Sequence, residues 1–139
     1  MDDTAVVTVQ GVAQLFDLHA LKDFAPDKRV RKMLFKSDQL WSEIACYEPG
    51  QSTVMHQHPK EEEAIYVLEG TANMNIDGHE VVVRAGSIVK FPNAVLHDVR
   101  NLGPRALRDH VPQGQSEGFE GESRWVTWTA ATRRCRRTR

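Results

Sequence analysis

An all-β, antiparallel fold with little helix is what the sequence predicts, and three observations predict it. Short strand-like runs fill the chain from residue 30 onward, several alternating apolar and polar positions. Turn-forming pairs interrupt them at close intervals: Pro49-Gly50, Ala85-Gly86, Pro92-Asn93 and Gly103-Pro104. Asp77-Gly78 is the strongest hairpin signal in the chain, because a two-residue type I′ turn needs positive φ at both central positions. These features point to a sandwich or barrel and leave its topology open.

The elements follow in order. Residues 5–27 mix short apolar pieces with Gly11 and Pro26, and "LFDLHALKD" (15–23) suits a short helical turn. Residues 1–29 are therefore expected to form a lead-in arm with an edge strand. The main body is expected over 30–112 and a C-terminal extension over 113–139. "RKMLFKS" comes first, then "LWSEIACY", which sets Leu40, Ser42, Ile44 and Cys46 against Trp41, Glu43, Ala45 and Tyr47. "STVMHQH" reads as an extended piece stopped by Pro59, which cannot donate to a ladder. "AIYVLEG" closes on Gly70, and "TANMNI" places Ala72, Met74 and Ile76 on one face. "HEVVVR", "SIVKF" and "VLHDVRN" come next, and "RALRDHV" makes a last strand before Pro112.

At 139 residues the chain is long enough for one domain with a real core. No apolar run approaches the length needed to span a bilayer, so no membrane partner is expected. The acidic opening Met1-Asp2-Asp3-Thr4 lacks the layout of a secretory signal, and the expected compartment is the cytoplasm. Cys46 is expected as a small buried core residue, and Cys135 lies in the tail; two such thiols make neither a disulfide framework nor a thiolate metal site. That tail, "RRCRRTR", holds five arginines, and without them 13 basic residues face 19 acidic ones. It is expected to be solvated and disordered, and no nucleic-acid-binding motif in the body supports a nucleic-acid partner.

The chemistry concentrates in "HQHPKEEE". Side chains at i and i+2 of an extended segment share a face, so His56 and His58 can converge on one ion. Pro59-Lys60 then permits a turn that returns an acidic residue beside them: Glu61, Glu62 or Glu63. A third imidazole, His97 of "VLHDVRN", would complete a nitrogen and oxygen shell. His19 and His79 read as surface residues, and His110 is ambiguous.

The spacing carries further information. Gly50, five residues, His56-x-His58, four residues, Glu63, six residues and Gly70 resembles the first motif of the cupin superfamily. Fifteen residues on, Gly86, five residues, Pro92-x-Ala94, two residues, His97, three residues and Asn101 resembles its second. Ala94 is the one departure, since the family pattern has glycine there; alanine suggests a slightly different backbone angle. The resemblance implies a small jelly-roll β-barrel with a metal inside one end, held by His56, His58, Glu63 and His97. Glu62 is the fallback if the turn is one residue shorter.

Three imidazoles and a carboxylate suit Fe, Mn, Ni, Cu or Zn as a divalent ion, and ligand type does not choose among them. Such a site carries a net charge of +1 and favours an anionic or enolate oxygen of a small-molecule substrate. The resemblance implies an enzyme, and a dioxygenase-type oxidation is the expected reaction. The alternatives are a redox-neutral isomerase, lyase or polyketide cyclase, and a non-catalytic metal-dependent sensor. Glu63 is either a ligand alone or a ligand that also takes a proton. Val54, Val95, Val99 and the Ala72, Met74, Ile76 stripe are candidates for the cavity wall. A homodimer paired through residues 5–37 is implied by the family alone.

Overall fold

A computed structural model describes residues 6–115. Cys135 and the arginine-rich tail lie outside the described residues. Among the described residues nine strands follow one another: β1 (Val6–Val9), β2 (Ala13–Phe16), β3 (Val30–Lys36), β4 (Leu40–Tyr47), β5 (Glu61–Glu69), β6 (Thr71–Ile76), β7 (His79–Arg84), β8 (Ile88–Phe91) and β9 (Leu107–Gln115). Among the described residues no helix is long and apolar enough to cross a membrane.

The main sheet has the antiparallel order β3-β4-β9-β5-β8. β6 and β7 form the predicted hairpin, whose turn residues Asp77 and Gly78 have φ of 50° and 83°. The hairpin extends into a second layer through single bridges: Ile76 and Asn73 pair with His97 and Arg100, which pair in turn with His56 and Ser52. The two layers close a jelly-roll barrel.

"STVMHQH" and "VLHDVRN" are thus joined by isolated bridges and are not continuous strands. From Ser52 to His56 is four residues, while the partner side from Arg100 to His97 is three, so one extra residue bulges out. Side chains replace the missing ladder partners: Thr53 Oγ1 accepts the Val99 N–H at 2.9 Å and Asp98 Oδ1 the Asn75 N–H at 2.8 Å.

β9 also runs four residues past its expected end at Val111. Pro112 lies in a central strand, yet pairing to β4 is unbroken from Leu107 to Gly114. The lapse falls on the β5 side, where Ala64 and Ile65 lack the pairing that resumes at Glu63 and Tyr66.

Alternation sorts the residues. Ala45, Tyr47, Ile65, Val67, Ala72, Met74, Val83, Phe91, Val99, Leu107 and Val111 form the core between the layers. The expected Ala72, Met74, Ile76 stripe belongs to it. On the outer face Ile44 meets Leu21 of the lead-in arm, with Phe16, Leu18, Leu34 and Leu68 around them. The arm makes the expected turn, in which Asp17 Oδ1 accepts the N–H groups of His19 and Ala20. Fully buried Arg108 ties it down by donating to the Leu18 carbonyl and pairing with Glu69 at 3.1 Å. Cys46 is buried, as expected. Gly70 is required where β5 ends: its φ is 80°, and a Cβ there would lie 2.3 Å from the Ala106 carbonyl oxygen.

Candidate metal centre

The bulged segment, the start of β5 and the 95–101 segment meet at one end of the barrel. There His56, His58, Glu63 and His97 bring one ligand atom each into a group whose members all lie within 4.8 Å of one another. His56 and His97 are placed by a reciprocal pair of backbone bonds, His56 N–H to the His97 carbonyl at 3.0 Å and the reverse at 2.9 Å. The His58 carbonyl accepts the Ala94 N–H at 2.8 Å. Ala94, at the position where the family pattern has glycine, has φ of 61°, in the left-handed region that favours glycine.

Local sequence also orients the rings. His56 Nδ1 lies 2.7 Å from the Val54 carbonyl and His97 Nδ1 lies 2.9 Å from that of Val95, in each case two residues upstream. Nδ1 donates in both, which turns Nε2 toward the shared centre. Phe91, directly opposite Glu63 on β8, stacks on the His97 ring with centroids 4.2 Å apart.

Glu63 sits between the imidazoles, with Oε1 2.8 Å from His97 Nε2 and Oε2 2.9 Å from His58 Nε2. Gln113 of β9 donates to the same Oε2 and lies 3.3 Å from His58 Nε2. Burial alone would raise the Glu63 pKa, but the hydrogen bonds from His58 and His97 overcome it and hold the carboxyl at about 2. Burial likewise works to lower His97, and its bonds to Glu63 and to the Val95 carbonyl raise it instead. His56 is lowered by burial and stays neutral, the form a metal ligand needs. Glu62, the fallback, faces away and pairs with Lys90 at 2.8 Å. The donor set fits a divalent transition ion: three imidazole rings and an ionised carboxylate converge, and backbone carbonyls fix the outer ring nitrogens of two histidines.

A cavity of about 240 Å³ opens from this group into the barrel. Its wall includes Val54, Val99, Ile65 and Val111, but also Arg29, Arg31, Glu43, Tyr47, Asp109 and Gln113. The expectation of an apolar wall captured only part of it. Glu43 and Tyr47 share a face of β4, and Asp109, Val111 and Gln113 share one of β9. The alternation was visible in "LWSEIACY", and nothing in it said which face turned inward. His110 lies on the opposite face of β9 and meets Ser42 at 2.6 Å.

The match to known families follows this geometry. The Cupin domain family matches residues 43–108. The barrel has the cupin fold. Among curated proteins, the polyketide synthase CurC of Streptomyces cyaneus is 34% identical over 65 residues, covering 47% of this chain and 42% of that protein. The chain spans less than half the length of the curated relatives it matches. Among solved structures, TT1209 from Thermus thermophilus superposes with a TM-score of 0.69 at 24% identity, covering 73% of this chain and 96% of that one. An RmlC-like cupin from Desulfovibrio desulfuricans gives 0.62 at 22% identity, with 67% and 88% covered.

Proposed function

We propose that this cupin is a metal-dependent enzyme acting on a small oxygenated organic molecule, and that His56, His58, Glu63 and His97 are the ligands. The observation that carries the reading is the convergence of these four donors, within 4.8 Å of one another, at the mouth of an internal cavity. A divalent transition ion bound there supplies Lewis acidity toward substrate oxygens and, where the ion is redox-active, access to O₂ chemistry.

The chain's own groups do the rest. Gln113 steadies Glu63 through Oε2, and Phe91 holds the plane of His97. With Glu63 held ionised, a carboxyl near 2 is a weak base at neutral pH, which favours its role as ligand over proton acceptor. The cavity is at the small end of ligand sites, which suits a compact diketone, enol or aromatic-derived acid.

Oxidation with O₂ is the first version of the reaction. The second is redox-neutral isomerisation or cyclisation, and two observations favour it: the 34% identity to a polyketide synthase, and the acid–base groups Tyr47 and Asp109 in the wall. One experiment separates them. Protein loaded with Fe(II) or Mn(II) is assayed against diketones, enols and phenolic acids, with O₂ uptake and substrate loss followed together. Stoichiometric O₂ uptake supports the oxidation. Undiminished turnover in strictly anaerobic buffer sinks it and leaves the redox-neutral version.

A further inference from the structure

The four ligand residues lie at one end of the cavity, and Arg29, Tyr47 and Asp109 in its wall form a second cluster. Asp109 is fully buried; its Oδ2 accepts the Tyr47 hydroxyl at 3.3 Å, while Oδ1 has no hydrogen-bond partner. Arg29 lines the same cavity, and its Nε is also buried without a partner. Buried polar atoms are almost always satisfied, so these two orphans, which share the wall with a third at Gln113 Oε1 beside Glu63, mark a place where a ligand supplies the missing bonds.

Charge identifies the ligand. Arg31 is paired with Glu43 through contacts of 2.8 and 3.3 Å, so those two cancel. Burial, helped by the charges of Glu43 and Glu63, pushes Asp109 up to about 8 against the opposing effects of the Tyr47 hydrogen bond and the Arg29 charge. Burial also raises Tyr47 well above its ordinary value. Both groups are therefore neutral at pH 7. What remains is the positive charge of Arg29, its free Nε–H, and the proton of Asp109 available on Oδ1. A cationic pole made of donors accepts an oxygen anion.

We propose that Arg29, Tyr47 and Asp109 form a second oxygen-binding pole, which takes a carboxylate or enolate oxygen at the far end of a molecule whose near end lies at His56, His58, Glu63 and His97. The inference rests on the metal-dependent reading above and names its substrate class: a small molecule with an oxygen function at each end. Register sets the separation. Asp109 and Gln113 lie four residues apart on one face of β9, about 13 Å of strand. Between the two poles the wall is apolar, with Ile65, Val99 and Val111. A short apolar linker is what such a waist accommodates.

The test uses α,ω-dicarboxylates from malonate to suberate, and the matching monocarboxylates, titrated calorimetrically into the full chain loaded with cobalt(II). The visible cobalt spectrum reports separately on the metal site. The expected result is an affinity optimum at intermediate length, at which the dicarboxylate exceeds its monocarboxylate by about tenfold or more. That advantage should vanish in Arg29→Leu, a variant of a partly exposed residue, and in Asp109→Leu. Tyr47→Phe should reduce it severalfold and serves if Asp109→Leu does not fold. Equal binding of mono- and dicarboxylates, or an optimum untouched by Arg29→Leu, overturns the second pole while leaving the metal site intact. Failure to take up cobalt overturns the metal reading, and the second pole with it.

Discussion

Glu63 and Asp109 are both buried carboxyl groups on the wall of one cavity, and they titrate in opposite directions. Burial pushes each of them upward. Glu63 is surrounded by His58, His97 and the Gln113 amide, and ends at about 2. Asp109 has a single hydroxyl from Tyr47, a smaller pull from the Arg29 charge and repulsion from Glu43 and Glu63, and ends at about 8. The same desolvation thus yields a permanent anion where donors converge and a neutral acid where they are scarce. Partner count decides which end of the cavity holds a cation and which one holds a proton.

Removing the anion should have the largest effect. Glu63→Ala is expected to lower affinity for cobalt(II) or zinc(II) by more than about 100-fold, beyond what loss of a supporting residue does. Glu62→Ala, which removes only a surface pair with Lys90, should leave affinity within about twofold. Competition titration with a chromophoric chelator measures both. Equal losses would mean that Glu63 is not distinguished as a ligand, and the contrast between the two carboxyls would lose its functional meaning.

A change at the neutral acid should read out in stability. The Asp109 pKa is raised on folding, so the unfolded state gives up its proton first. Its ionisation then draws the protein toward unfolding as pH rises from about 4. Asp109→Asn abolishes that titration. The stability of Asp109→Asn relative to wild type should therefore increase from pH 4 toward pH 8 and level off above it, with a slope no steeper than about 1.4 kcal/mol per pH unit. Glu63→Gln in metal-free protein should show the opposite sign. Glu63 is lowered on folding, so its contribution is present above about 4.5 and is lost as pH falls toward 2. Urea denaturation of metal-free proteins across this range checks both, and a pH-independent difference for Asp109→Asn would show that it is already ionised in the fold.

The two ends also differ in how legible they are in the sequence. The histidines, Glu63 and the turn residues Gly50, Gly70, Gly86 and Pro92 fall at fixed spacings within two short motifs, where proline and glycine punctuation fixes the register. The far pole has no such marker. Asp109 follows Arg105 and Arg108 in "RALRDHV", and a charged residue in a strand is ordinarily on the wet face. A one-residue change of register would have turned Arg108 and His110 inward in its place. What decides the facing is the unbroken pairing of β9 with β4, together with the arm that covers Arg108 on the outside, and both are contacts between distant parts of the chain. Gln113 was hidden for a related reason, since Pro112 read as a strand end.

The smallest expected effect probes the backbone beneath the metal end. Ala94 holds φ of 61° and donates its N–H to the His58 carbonyl; among the described non-glycine residues only Gln10 and Asp77 share its sign, and neither lines the cavity. Alanine in this region is disfavoured by roughly 1–2 kcal/mol, while glycine costs about 0.4–1 kcal/mol in added freedom of the unfolded chain. Ala94→Gly should therefore stabilise the metal-free protein by about 0.5–1 kcal/mol, measured by the shift in urea midpoint at constant m-value. Metal affinity should be unchanged, because the hydrogen bond that places His58 uses backbone atoms alone. A loss of stability would mean that the Ala94 methyl makes contacts outweighing its backbone strain. A change in metal affinity would mean that the strain is transmitted to His58, and that this end of the cavity depends on a tension the Asp109 end does not have.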